Sequence, residues 1–330
     1  MKETYIMSTD QNKPNQLTTH QSRSISEWEG ASDGMQTART GADDVWYAPK
    51  WRPLAFLGVL LMLSLAVSAC GQGNSAAAKH HMPMSTAMPT GMMPLPSYAK
   101  DMHIAIASPA SGTMVTDNAL SVTVATSGYT LSCDFAGKAD QQGIGHYHVL
   151  LDKSLVNMFC TPTATISMQN VSRGMHTLTV VPALNDHSEV EVNGKSIRFD
   201  YEPTNPLPAL TDATFAGKPS ITILSPKNGD TVSGAFDIIV QVTNYNLSCD
   251  LMGKPDVAGY GHWHANLDSM SGPMMGMGTM LGMSCSTLFH ATTAGLKAGQ
   301  THTIIALLTD DGHAPLNPAV DSQVTVKIGG

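Results

Sequence analysis

The chain has few charged and few aromatic side chains. Only 13% of its 330 residues are charged, 6% are aromatic, and the formal net charge is -8. Because a nucleic-acid partner requires a basic surface, this acidic balance argues against one. The sequence also lacks a Walker loop and an H-E-x-x-H element, and its one G-x-S-x-G match, residues 30–34, lies in a polar stretch without a strand pattern. These features argue against the enzyme classes that use such elements. No stretch has the periodicity of an amphipathic helix.

The N-terminal part of the chain divides into two segments of different composition. Residues 1–50 are polar and without a periodic apolar pattern, so they predict a disordered or untranslated stretch. Residues 51–70 contain an apolar run and end at Cys70, which is the pattern of an export signal. The segment resembles a bacterial lipoprotein signal, and this resemblance implies lipidation of Cys70 and anchoring to the extracytoplasmic face of the cell membrane. A plain transmembrane anchor is the alternative, although about 15 apolar residues are short for a span of about 20.

The rest of the chain contains an internal repeat. Residues 131–152 and residues 247–268 are identical at 13 of 22 positions with a constant offset of 116. Alternating apolar and β-branched residues between Gly- and Pro-rich turns predict strands, and about seven strands in about 110 residues predict an immunoglobulin-like sandwich. We therefore expect an all-β chain with two tandem sandwiches. The expected boundaries are 71–100 for a Met/His-rich tether, 101–202 for the first domain, 203–219 for a linker and 220–330 for the second domain.

The remaining cysteines occur as one pair in each repeat. An even count in each domain of an exported chain favours disulfides over free thiols. Thiolate ligation of a metal is the alternative. The predicted disulfides are Cys133–Cys160 and Cys249–Cys285.

Each repeat carries a G-H-x-H element on a predicted strand. Strand periodicity places His146 and His148 on one face and the neighbouring aromatic and aliphatic side chains on the other, which is the natural core face. His262 and His264 occupy the same positions in the second repeat. The i, i+2 spacing lets two imidazoles reach one ion. Hydrogen bonding that merely stiffens the sheet is the alternative.

Further histidines recur at matching places in the two repeats and are candidates for a third ligand. One matching pair is His176 and His302, and a separate pair is His187 and His313. With three imidazoles at one place, either repeat would hold a complete set of protein ligands for a metal ion.

Methionine is abundant, with 21 residues in the chain, and it clusters in two places. Thioethers select soft ions such as Cu(I), and imidazole also accepts Cu(II) and Zn(II). The clusters are similar in kind to Met/His-rich segments of bacterial periplasmic copper carriers; a flexible, oxidisable tether and an adhesive apolar loop are the alternative. The candidate ligands are Met270, Met274, Met275, Met277, Met280 and Met283 in a Gly-rich insertion of the second repeat, and His80, His81, Met82 and Met84 after the signal.

The repeats also resemble a family of small exported bacterial domains of unknown function, whose signature reads GHHHLLID and HxPHNPxVxS. The second repeat fits over most of residues 221–328, including the H-x-P-x-N-P element that begins at His313. The first repeat lacks that element after His187, and both repeats have an aromatic residue where the family often has a middle histidine. Since the family has no assigned activity, the resemblance implies location and fold rather than chemistry.

Two functional hypotheses follow from these patterns. The first is a non-catalytic, lipid-anchored extracytoplasmic protein that binds a metal, with copper as the favoured ion and a metal donor or acceptor protein as a partner. The alternative is a structural or interaction module of the cell envelope, with immunoglobulin-like domains and no metal.

The long polar stretch before the signal leads to a first prediction. About 50 residues would precede the apolar run, which is unusual for an export signal, so we expect translation to start at Met35. Mass spectrometry of whole cells should then find no peptide from residues 3–30. Detection of such a peptide would show that translation starts upstream.

Overall fold

β-Strands form nearly all of the regular structure in the part of the chain that can be described. The structure is a computed structural model and describes residues 94–270 and 276–330. Within these ranges no helix is long and apolar enough to span a membrane. The predictions for residues 1–50, for the signal and for the tether ligands lie outside the described residues, as do those for Cys70, His80, His81, Met82, Met84, Met274 and Met275.

The first domain contains nine strands in two sheets. A three-stranded sheet has the order β1-β3-β7, and the other sheet has the order β2-β9-β8-β5-β4, with β6 paired to β5. A short 3-10 turn, Ser97–Asp101, precedes the first strand, and another, Glu191–Asn193, precedes the last. The strands are β1 (His103–Ser108), β2 (Thr113–Val115), β3 (Ala119–Ser127), β4 (Thr130–Leu131), β5 (Ile144–Leu151), β6 (Ser154–Phe159), β7 (Thr163–Ser167), β8 (Gly174–Ala183) and β9 (Lys195–Tyr201).

The second domain repeats this arrangement strand for strand. Its sheets have the orders β10-β12-β16 and β11-β18-β17-β14-β13, with β15 paired to β14. A 3-10 turn, Met277–Thr279, precedes β15. The all-β fold with sandwich-like sheets is therefore confirmed. The strands are β10 (Ser220–Ser225), β11 (Thr231–Val232), β12 (Ala235–Thr243), β13 (Asn246–Leu247), β14 (Tyr260–Leu267), β15 (Met280–Ser284), β16 (Leu288–Thr292), β17 (Thr301–Thr309) and β18 (Asp321–Ile328).

The two central strands, β5 and β14, divide their side chains between two faces as the alternation predicts. Tyr147 and Val149 lie in the apolar core of the first sandwich, and Trp263 and Ala265 lie in that of the second. The histidines between these residues consequently point to the opposite face of each sheet. That face is also buried, because the other domain covers it.

Both predicted disulfides are present. Cys133 pairs with Cys160 and Cys249 pairs with Cys285, with Cα–Cα distances of 5.4 and 5.3 Å. Each disulfide joins the loop before the central strand to the end of the strand that follows it, so it holds β6 or β15 beside the histidine-bearing strand.

The two domains contact each other through matching elements. The ammonium group of Lys138 donates to the carbonyls of Thr292 and Ala294 in the second domain, at 2.7 and 2.9 Å. The ammonium group of Lys254 donates to the carbonyl of Ser167 in the first domain, at 2.7 Å. Burial lowers the pKa of each lysine to about 8. The interface is thus a pseudo-two-fold contact in which each domain offers the same surface to the other.

Close packing at this interface depends on glycine. Gly137 has φ 70°, in the left-handed region that favours glycine, and a Cβ at this position would lie 2.5 Å from the carbonyl oxygen of Met280. Gly253 has φ 72°, and a Cβ there would overlap the carbonyl group of Leu155. At both glycines the backbone of one domain therefore contacts the backbone of the other, and a side chain would hold the domains apart.

A glycine substitution tests this contact. Gly137→Ala should destabilise the protein more than Gly112→Ala, because both glycines have positive φ but a Cβ at Gly112 meets no atom within 4 Å. Placing alanine at a positive φ costs about 1–2 kcal/mol in both variants. The overlap with Met280 adds a further loss of about 1–3 kcal/mol for Gly137→Ala alone. Denaturant titration of both variants measures the difference, and equal losses would contradict the described interface.

Candidate metal centres

Three histidines of the first domain bring their ring nitrogens together. The Nε2 atom of His146 lies 3.1 Å from Nε2 of His148 and 3.0 Å from Nδ1 of His187. The remaining separation, between Nε2 of His148 and Nδ1 of His187, is 3.4 Å. Two of the rings project from β5 and the third comes from the turn after β8, and all three are buried. The three nitrogens form a nearly equilateral triangle.

The outer nitrogens of two of these rings fix where the protons are. His187 donates from Nε2 to the carbonyl oxygen of Met280 at 2.7 Å, because a carbonyl can only accept. His148 donates from Nδ1 to the carboxylate of Glu189 at 2.7 Å. Each neutral ring then presents an unprotonated nitrogen to the triangle. These two lone pairs face each other with no proton to share.

The third ring cannot resolve this arrangement by hydrogen bonding. Nδ1 of His146 is buried and has no hydrogen-bond partner among the described residues. A proton on Nε2 would serve only one of the two facing lone pairs, and a proton on Nδ1 would leave a buried donor unpaired, at a cost of about 1–3 kcal/mol. A metal ion with bonds of about 2.0–2.1 Å to nitrogen would place the nitrogens about 3.3–3.5 Å apart. The observed triangle is close to that spacing.

The second domain repeats the same constellation. Nε2 of His262 lies 3.0 Å from Nε2 of His264 and 2.9 Å from Nδ1 of His313. His313 donates from Nε2 to the carbonyl oxygen of Leu155 at 2.8 Å. Nδ1 of His262 is buried, and within the described ranges no group is bonded to it. Residues 94–270 and 276–330 therefore carry two buried histidine triads, one in each domain.

The third histidine of each triad has an uncommon backbone conformation. His187 has φ 65° and His313 has φ 69°, both in the left-handed region. A single non-glycine residue in this region costs about 1–2 kcal/mol. Local hydrogen bonds hold the two turns, such as Ser188 N–H to the Asp186 carboxylate at 2.9 Å and Ala314 N–H to the Asp310 carboxylate at 2.8 Å. In each domain the turn directs the ring of His187 or His313 towards the other two histidines of the triad.

Small residues let the strands approach each other at the triads. A Cβ on Gly145 would lie 2.6 Å from the carbonyl oxygen of Ala183, and a Cβ on Gly261 would overlap the carbonyl of Thr309. A glycine before each H-x-H element therefore allows a neighbouring strand to come close.

Burial lowers the pKa of five of the six triad histidines. The pKa of His187 falls to about 3 and that of His313 to about 4, chiefly through burial and with a smaller lowering effect of His148 on both. The pKa values of His146, His262 and His264 lie well below the ordinary value, chiefly through burial. The charge of His187 also affects His264, so each triad is within electrostatic reach of the other. Neutral imidazole is the form that binds metals.

The other recurring histidines lie away from the triads. His176 lies near the opposite end of β8 and bonds the carboxylate of Asp152 at 2.6 Å and the carbonyl of Ser172 at 2.8 Å. His302 bonds the carboxylate of Asp268 at 2.7 Å. Both aspartates lie in hairpin turns with positive φ, so these pairs fasten a turn to a neighbouring strand.

The methionines of the second repeat also differ from expectation. Met277 and Met280 are buried in an apolar cluster with Met158 of the first domain, and Met283 packs against it, whereas Met270 is 44% exposed. The described part of the Gly-rich insertion is therefore an interface core and not a loose loop. Its methionines pack there because the other domain supplies the missing apolar surface.

Two residues near the first triad, Met158 and Glu189, were not identified from the sequence, whereas Met283 near the second triad was. Met158 is the cross-strand partner of His148, and Met283 is the cross-strand partner of His264. Each lies two positions before a disulfide cysteine, so a shared M-x-C pattern could have revealed that they are equivalent. Glu189, which bonds His148, has no counterpart in the second repeat and leaves no such pattern.

Comparison with known proteins gives no family. No family model matches the sequence, and no curated protein matches it significantly. Among solved structures, the chain is similar to fibronectin(III)-like modules of Clostridium thermocellum CbhA, at 13% identity over 68% of this chain and 94% of that one, with a TM-score of 0.22. It is also similar to CopC from Methylosinus trichosporium OB3b, at 13% identity over 32% of this chain and 98% of that one, with a TM-score of 0.20. These similarities say nothing about the chemistry of the triads.

The buried neutral rings make the metal-free protein sensitive to acid. Their pKa values in the folded state lie below the unfolded value of 6.5, so the unfolded chain binds more protons below that pH. Each of these rings therefore leaves stability unchanged above pH 6.5 and lowers it as the pH falls towards about 4, by about 1.4 kcal/mol per pH unit. Denaturant titrations of chelator-treated protein at several pH values measure this slope.

Two variants separate the triads from other groups that titrate in the same range. His262→Leu should reduce the slope, because one buried ring no longer takes up a proton on unfolding. Met175→Leu, which changes an exposed side chain that does not titrate, should leave it unchanged. Equal slopes in the parent and in His262→Leu would contradict the buried neutral state.

Proposed function

We propose that this protein is an extracytoplasmic metal-binding protein that holds one ion in each histidine triad. The proposal rests on three ring nitrogens of the first triad that lie 3.0 to 3.4 Å apart. The outer nitrogens of His187 and His148 already donate to Met280 and Glu189, so their inner nitrogens are free to bind an ion. Hydrogen bonds alone leave the site with facing lone pairs, and a cation satisfies all three. The second triad supports the same function with the same geometry.

Binding, and not catalysis, fits the burial of these rings. The six triad histidines are at most 5% exposed. A catalytic metal keeps an open position for water or substrate, whereas a storage or transfer site does not require one. We therefore propose a non-catalytic role.

Copper is the ion that the surroundings favour. Imidazole accepts copper and zinc alike, but thioether is a ligand for soft ions. The thioether-bearing residues Met158 and Met283 are cross-strand neighbours of triad histidines, so their Cβ atoms lie about 4.5–5.5 Å from those of the histidines. The same two residues line a groove of about 220 Å³ between the domains. We propose that a soft ion reaches the triads along this groove.

The cellular setting of the proposal comes from the sequence. We propose that the lipoprotein signal anchors the protein through Cys70 to the outer face of the membrane, and that the Met/His-rich tether exchanges copper with a donor or acceptor protein. The two disulfides support an oxidising compartment, because disulfides persist outside the cytosol.

Metal titration tests the function. Chelator-treated protein should bind two equivalents of Cu(I) or Zn(II) in sites that require the triads. His146→Ala with His148→Ala should remove one of these equivalents, and the matching pair His262→Ala with His264→Ala should remove the other, because each change leaves one imidazole in a triad. Isothermal titration calorimetry gives the stoichiometry, and saturation at 100 times Kd should add about 2.7 kcal/mol to the free energy of unfolding.

The matched control is His176→Ala. This residue recurs in the sequence like the triad histidines but bonds Asp152 instead, so its loss should leave both equivalents in place. Failure of the parent to bind either ion more tightly than about micromolar in a triad-dependent manner would favour a structural module without metal.

A further inference from the structure

The two triads differ at one place. In the first domain the carboxylate of Glu189 accepts a hydrogen bond from Nδ1 of His148, and its side chain is only 13% exposed. Glu189 forms an isolated bridge with Ala183 after β8, and Pro315 forms the equivalent bridge with Thr309 after β17. The position that holds a carboxylate beside the first triad therefore holds a proline beside the second.

Nothing in the described part of the second domain replaces this carboxylate. His313 bonds a backbone carbonyl, and no described acidic group bonds to a ring nitrogen of His262, His264 or His313. The second triad thus offers three neutral rings with no adjacent negative charge on a ligand. The first offers three rings and one carboxylate bonded to a ring.

The nearest acidic residue in the sequence, Asp311, serves another purpose. Its carboxylate accepts a hydrogen bond from the Val257 amide at 2.9 Å, and the neighbouring Lys254 ammonium offsets its charge. Burial raises the pKa of Asp311 to about 6. Asn185 is the corresponding residue of the first domain, so Asp311 and Glu189 occupy different positions in their domains.

We infer that the two triads differ in the charge of the ion they hold: the first selects a divalent cation and the second a soft monovalent cation. This inference rests on the proposed metal-binding function and adds the selectivity of each site to it. A dication in a buried site without counter-charge is costly, and a carboxylate bonded to a ligand histidine both offsets charge and makes the ring a stronger ligand. For copper, the first triad would hold Cu(II) and the second Cu(I).

The experiment uses the full chain and two redox-inert probes, Zn(II) for the divalent ion and Ag(I) for the monovalent one. His262→Ala isolates the first triad and His146→Ala isolates the second, and calorimetry gives the affinity of each for each ion. We expect Zn(II) to bind the first triad at least about 10-fold more tightly than the second, since changing a group bonded to a ligand typically alters affinity by about 10–100-fold. Ag(I) should not prefer the first triad.

A variant that removes the charge of Glu189 but keeps its shape tests the role of this residue directly. Glu189→Gln keeps an oxygen that can accept from His148, so the ring stays oriented while the charge is lost. In the isolated first triad it should weaken Zn(II) by about 10–100-fold and Ag(I) by much less. Pro315→Glu should strengthen Zn(II) at the second triad, and this gain does not depend on a loss of folding. Asp311→Asn, which copies the first domain, is the matched control and should leave the Zn(II) preference intact.

Three results would overturn the inference while metal binding stands. They are equal Zn(II) affinity at the two triads, equal weakening of Zn(II) and Ag(I) by Glu189→Gln, and an effect of Asp311→Asn on Zn(II) as large as that of Glu189→Gln. Absence of triad-dependent binding of both ions would instead contradict the proposed function itself.

Discussion

Two hydrogen bonds between the domains govern the rest of the structure. His187 donates to the Met280 carbonyl of the second domain, and His313 donates to the Leu155 carbonyl of the first. Each bond fixes the proton on the outer nitrogen of a ring and so turns its other nitrogen, unprotonated, towards the triad. The same bonds join the sandwiches at a face that also carries buried lysines and methionines. Contact between the domains and orientation of the triad rings therefore depend on the same hydrogen bonds.

The local parts of this arrangement could be predicted from the sequence. Strand alternation placed His146 and His148 on one face, and even cysteine counts gave both disulfides, since these depend on near neighbours or on simple pairing. The choice of third ligand could not be made, because His176 and His187 lie on or beside the same strand at opposite ends. Only the register of β8 against β5 decides that His187 reaches the triad. Contacts between the domains, including those of Met158 and Met280, depend on docking and leave no local pattern.

The duplication also shows where the domains have diverged. Fold, disulfides, triads and interface lysines are kept, whereas Glu189 has no acidic counterpart and Asn185 corresponds to Asp311. Each triad retains an inner ring, on His146 or His262, with a nitrogen that has no hydrogen-bond partner in the described part of the chain. Buried polar groups without partners are rare because they cost stability, so their occurrence at the same place in both domains indicates a shared role. A cation in each triangle gives that role a physical cause.

The most direct test is to locate the ions. In crystals of the copper-loaded protein, anomalous difference density should show one peak in each triad, about 2.0 Å from the three ring nitrogens that converge there. Peaks elsewhere with none inside the triads, or triads that keep their geometry in saturating copper without density between the rings, would contradict the account.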